Sequence, residues 1–147
     1  MLFESDVITS VCNYLKNNNF EIIQQLNENQ QGDDIIAINQ QKKKFYIEAK
    51  GETSSKESSN RFGKEFNSSQ KKVHVSQALY RAIKMKEENN SLSGIAFPET
   101  KGHLALIEPI KQTLQHIGIE VFWVKNDGTV RVENYSKIFY KSVVTEI

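Results

Sequence analysis

Two short apolar runs, close together and each edged by acid, constrain this chain most. The first is Gly32-Asp33-Asp34-Ile35-Ile36-Ala37-Ile38; the second is Phe45-Tyr46-Ile47-Glu48-Ala49-Lys50-Gly51. Their β-branched and aromatic content predicts two strands, 34–39 and 44–50, joined by a polar connection at 40–43. Ile35, Ala37, Phe45, Ile47 and Ala49 fill one face of the pair, while Ile36 and Tyr46 make the other partly apolar. Strands apolar on both faces are covered on both sides. The pair therefore belongs inside a sheet with helices above and below it.

The flanking segments supply those helices and further strands. Val7, Ile8, Val11, Cys12 and Leu15 recur at helical spacing and predict a helix over 3–17, ended by Asn17-Asn18-Asn19. Residues 20–26 read as a strand, and 27–32 as a polar turn. Residues 51–70 read as a long polar loop, a length that is uncommon unless the loop carries function or lacks order. A helix follows over 73–88, with Val75, Ala78, Leu79, Ala82 and Ile83 on one face. Then come a strand at 94–97, a helix over 103–117 kinked or broken at Pro109 and stopped by Gly118, and a strand at 120–124. Asn126-Asp127-Gly128 predicts a hairpin into a last strand at 129–132. The tail at 135–144 is apolar without a clear period. With no repeat and no linker, the expectation is one α/β domain built on a mixed central β-sheet flanked by helices.

Composition narrows the class. The 147 residues are 38% apolar and 25% charged, and Cys12 is the lone cysteine, which excludes an internal disulfide. No run approaches the roughly 20 apolar residues of a membrane span. The opening Met1-Leu-Phe-Glu4-Ser-Asp6 lacks a signal-peptide pattern, so a cytoplasmic protein is expected, with no membrane partner. The net charge of +1 hides an asymmetry: residues 41–86 hold 12 Lys and Arg against 4 Glu, the remainder 7 basic against 14 acidic. Such a block points to an anionic partner for one face, although lysine-rich loops are often only solvated.

The chemistry sits at the ends of the strand pair. Alternation places Asp34, Ile36 and Ile38 on one face, and Tyr46, Glu48 and Lys50 on one face of the next strand. If Asp34 lies opposite Glu48 or Lys50 the three groups converge; a slip of one residue separates them. Two carboxylates near one lysine can hold a divalent metal and prepare a water for attack on a phosphate. The plain alternative is a salt-bridged hairpin end. Glu4 shares the helical face of Ile8, Val11 and Leu15 and could reach the sheet, or merely answer the helix dipole. His74, Gln77 and Arg81 share another face, as site residues or as a solvated stripe. There is no glycine-rich phosphate loop and no serine nucleophile elbow. His103 and His116, 13 residues apart, lack the spacing of a zinc site and read as ordinary helix residues; Cys12 and Trp123 read as core.

In order and content these elements resemble the PD-(D/E)xK nuclease superfamily, with its restriction-endonuclease-like core: a helix with Glu4, a strand, a Gly-x-Asp34 strand, a Glu48-x-Lys50 strand and a helix with Gln77. The resemblance covers residues 3–98. It implies a Mg²⁺-dependent (or Mn²⁺-dependent) deoxyribonuclease. Asp34, Glu48 and the carbonyl of Ala49 would bind the metal. Lys50 would position or activate the water, Glu4 would be an accessory ligand, and Gln77 would orient the metal site or the scissile phosphate. Asp33 competes for the role given to Asp34. The basic run with Lys56, Arg61, Lys64, Lys71 and Lys72 is expected to meet DNA phosphates, with His74 and Arg81 beside it. Two-strand cleavage would suit a homodimer. The alternatives are an inactive nuclease-fold module that binds DNA or a protein, and a plain structural domain. Endonuclease or exonuclease action, and DNA or RNA as substrate, stay open.

Overall fold

A computed structural model of the chain describes residues 1–27, 30–54 and 63–133. Six strands form one sheet in the order β1-β2-β3-β4-β5-β6, so chain order and spatial order coincide. They are β1 (Glu21–Gln25), β2 (Ile35–Ile38), β3 (Lys44–Ala49), β4 (Leu92–Pro98), β5 (Ile119–Val124) and β6 (Val130–Glu133). Pairing is antiparallel for β1–β2, β2–β3 and β5–β6 and parallel for β3–β4 and β4–β5, a mixed sheet flanked by helices.

Each connection follows local chemistry. Between β2 and β3 the Asn39 side chain accepts from the N–H groups of Gln41 and Lys43, and Lys42 takes a left-handed conformation, φ 66°. The parallel step from β3 to β4 requires a crossover, which α2 (Ser68–Asn89) supplies. That helix begins five residues before the predicted start. Asn67 caps Gln70 N–H at 2.9 Å, and Gln70 answers on Asn67 N–H at 2.8 Å, a reciprocal cap. The predicted helix over 103–117 divides at Pro109 into α3 (Lys101–Ile107), a 3₁₀ turn (Glu108–Ile110) and α4 (Lys111–Ile117), which stops at Gly118, φ 72°. Asp127 Oδ1 accepts from Thr129 N–H in the β5–β6 hairpin.

The sheet separates two cores. On one face α1 (Glu4–Asn17) packs Val7, Ile8, Val11, Cys12 and Leu15 on Ile35, Ala37, Phe45, Ile47, Ala49, Phe122 and Val124. On the other, Val75, Ala78 and Ala82 of α2 join Ile107 of α3 and Leu114 of α4 over Ile95, Phe97, Val121 and Trp123. No helix among the described residues is long and apolar enough to cross a membrane. The tail at 135–144, Lys56 and Arg61 lie outside the described residues.

Candidate active site

The β2–β3 register decides whether the acids meet. Ile35 pairs with Ile47 and Ile36 with Tyr46, so the next position outward sets Asp34 against Glu48. The chain bends at Asp34. Asp34 Oδ2 accepts the Ala49 N–H at 2.9 Å, past the last β2–β3 pair. Glu48, the penultimate residue of β3, is only 7% exposed.

Glu4 reaches this end through a clasp between the start of the chain and the segment after β3. Leu2 N–H donates to Glu52 Oε1 at 2.7 Å, and Glu52 N–H donates to Leu2 O at 3.0 Å. Gly51 makes the approach feasible: a Cβ there would stand 2.5 Å from the Glu4 backbone nitrogen. Glu4, Ile8, Asn27, Gln30 and Asp34 then line a shallow cleft.

The charges are held unequally. Burial pushes the Asp34 carboxyl above its usual range, against the pull of the Ala49 N–H, of Lys50 and of hydrogen bonding with Glu48 and Glu4. Glu48 is raised to about 8, first by burial and then by the Asp34 charge, with Arg81 opposing. Two facing carboxylates in a dry site cannot both ionise cheaply, so the charge on one opposes ionisation of the other. Lys50 N–H donates to Ala96 O across the β3–β4 pair, and its ammonium acts electrostatically on both Asp34 and His74.

Arg81 of α2 meets the acids directly. Its Nη2 lies 3.1 Å from Asp33 Oδ1, and its Nε–H donates to the same oxygen at 3.2 Å. Glu48 Oε1 lies 3.0 Å from Nε, yet receives no hydrogen bond among the described residues. Sequence reading had placed Arg81 on phosphate and Asp33 as a rival to Asp34; the structure pairs them with each other. The available signal was the Asp33-Asp34 doublet, since adjacent acids at a covered strand end call for a cation. With Val75, Ala78 and Ala82 facing the sheet, Gln77 turns to solvent, while His74 and Arg81 flank the buried stripe.

The other expected phosphate contacts divide. Lys64 and Lys72 are exposed. Lys71 is not on the surface: it is 6% exposed and ion-paired with Glu65, because the first turn of α2 lies against α3 and the segment before it. That segment is fixed by a bridge between Thr53 and Glu65 and by Phe66 N–H donating to Glu52 O. His74 sets its ring edge-on to Phe66, centroids 4.6 Å apart, and burial holds its pKa below the usual value. Beside it His103 is fully buried, stacks on Phe97 at 5.4 Å, and shares a 2.7 Å hydrogen bond between Nδ1 and Thr100 Oγ1. Burial, then Lys71 and His74, lower its pKa to about 4.

Among the described residues no three His, Cys, Asp or Glu side chains are gathered so as to enclose a metal ion by themselves. Two carboxylates can still serve Mg²⁺, which commonly keeps several waters and takes only one or two protein carboxylates. The orphaned, buried Glu48 Oε1 is an oxygen of the right kind for that set.

No family model matches the chain, and no curated protein matches it. Among solved structures, that of Pyrococcus furiosus SfsA in complex with Ca²⁺ is similar at 15% identity and a TM-score of 0.39. The match covers 85% of this chain and 58% of that one, so the chain spans less than two thirds of that protein's length.

Proposed function

We propose that the chain is a metal-dependent nuclease of the PD-(D/E)xK kind, hydrolysing DNA phosphodiester bonds. One observation carries this reading: the register sets Asp34 against Glu48 at a buried strand end, with Lys50 two residues beyond Glu48. A salt-bridged hairpin end would pair Lys50 with an acid, yet Lys50 makes no ion pair among the described residues. In this reading Asp34 and Glu48 hold Mg²⁺ or Mn²⁺. The Ala49 carbonyl helps, since the N–H of the same residue already points to Asp34 and extended backbone sends both groups to one side. The cation would supply charge neutralisation to a phosphate and acidity to a water. Lys50 aligns that water and offsets charge that develops on the phosphate oxygens. Glu4 completes the acidic wall, Gln77 meets the substrate from the exposed side of α2, and Lys64 and Lys72 meet neighbouring phosphates.

The test is cleavage of varied DNAs with Mg²⁺ or Mn²⁺. Cleavage by the wild type that vanishes in the Asp34→Ala, Lys50→Ala double variant supports the reading; unchanged cleavage in that variant defeats it. A second reading, an inactive module with the same fold, has one observation in its favour. Arg81 already balances Glu48 and Asp33 without a metal. Failure of Mn²⁺ to bind through Asp34 and Glu48 would favour that reading.

A further inference from the structure

The acidic end of the sheet holds more carboxylate than one cation requires. Asp33 and Glu48 share a single guanidinium, and Asp34 lies next to both with Glu4 at its other side. Arg81 treats the two unequally. Asp33 Oδ1 has both Nε and Nη2 of Arg81 within 3.2 Å. Glu48 Oε1 is 3.0 Å from Nε but off its N–H direction, because that proton goes to Asp33. Glu48 Oε1 therefore faces the Arg81 charge without accepting a hydrogen bond among the described residues, while Asp33 is engaged.

Resting on the metal reading above, we propose that Arg81 limits this site to one divalent cation, its guanidinium standing where a second ion would bind and keeping Asp33 out of the ligand set. Two-metal phosphodiester sites set their ions about 3.5–4 Å apart around shared carboxylates. A cationic group within 3.0 Å of Glu48 and 3.2 Å of Asp33 fills the position such an ion would need. The forked, permanently charged guanidinium suits this task, since it can face two acids at once. Arg81 is in this sense a positioning residue, acting through Asp33 and Glu48.

The experiment counts Mn²⁺ ions bound per chain by calorimetric titration, with circular dichroism confirming that each variant is folded. The wild type should bind one ion. Arg81→Gln should bind two, and so should Arg81→Met, a second variant that keeps an aliphatic stem for packing. Arg81→Lys, which retains the charge, should bind one. Adding Asp33→Asn to Arg81→Gln should return the count to one. Two ions on the wild type, one ion on both neutral variants, or two on the double variant would each overturn the inference while leaving the metal reading intact. A wild type that binds no Mn²⁺, indistinguishable from Asp34→Asn, would overturn both.

Discussion

Lys50 acts electrostatically on one member of each of two polar clusters, Asp34 and His74, and burial acts on the two clusters in opposite directions. In the acidic one, Asp34 and Glu48 with Asp33 and Arg81, the Asp34 and Glu48 carboxyls have raised pKa values. The basic one, His74 and His103 with Lys71 and Glu65, has its imidazole pKa values lowered. Both shifts discharge the group, as low dielectric requires. The difference lies in what offsets the charge that remains. Lys71 has a dedicated partner in Glu65. The two facing carboxyls share what Arg81 and Lys50 offer.

The comparison can be broken in order of expected effect. Lys50→Ala should reduce DNA cleavage about 10³-fold, the scale of losing one aligned donor, with little change in melting temperature; equal loss of both would assign Lys50 to structure. His103 should make the basic cluster acid-labile. Its folded pKa of about 4 lies below the ordinary imidazole value of 6.5, so its contribution is complete above 6.5 and lost as pH falls through 4. A shift of that size corresponds to about 3 kcal/mol. His103→Gln should flatten the decline seen in urea melts between those pH values, and an unchanged decline would reject the assignment.

Gly51→Ala should cost about 1–3 kcal/mol as an overpacking change, because the new methyl would meet the backbone of Leu2, Phe3 and Glu4 at 2.5–3.0 Å. A thermal melt within error of the wild type would remove Gly51 from the account of the clasp. Glu48→Gln, in chelator, should stabilise the chain by about 1 kcal/mol or more at pH 9 and have little effect at pH 4. The sign follows from a folded pKa raised to about 8, which makes the wild type lose stability as pH rises from the unfolded value toward 8. Destabilisation at pH 9 would contradict the crowding of Glu48. The smallest effect belongs to the surface: Lys72→Ala should lower the salt slope of DNA binding by about 1, whereas buried Lys71→Ala should act on stability instead.

Legibility in the sequence depended on how far apart the interacting residues are. The α1 stripe, the Asn126-Asp127-Gly128 hairpin and the break at Pro109 are local, and each stands in the structure where the pattern places it. The early start of α2 was hidden because Ser68-Ser69-Gln70 looks like loop, and only the reciprocal cap from Asn67 to Gln70 reveals it. Strand β4 extends beyond 94–97 because Ser93, polar yet fully buried, finds Ala82 O as its acceptor. At the site, the meeting of Asp34 with Glu48 was legible as a condition on register. The pairing of Asp33 with Arg81 was not, since it depends on how α2 lies over β3, which no spacing encodes.

The clasp has a consequence for folding. Its partners, Leu2 and Glu52, are 50 positions apart in the chain, and Arg81 and Asp33 are 48 apart. Closing loops of that span is slow and comes with the assembled sheet rather than before it. The acidic end of the sheet therefore depends on contacts that join distant parts of the chain. An ion that bound the folded chain and not the unfolded one would raise stability by mass action.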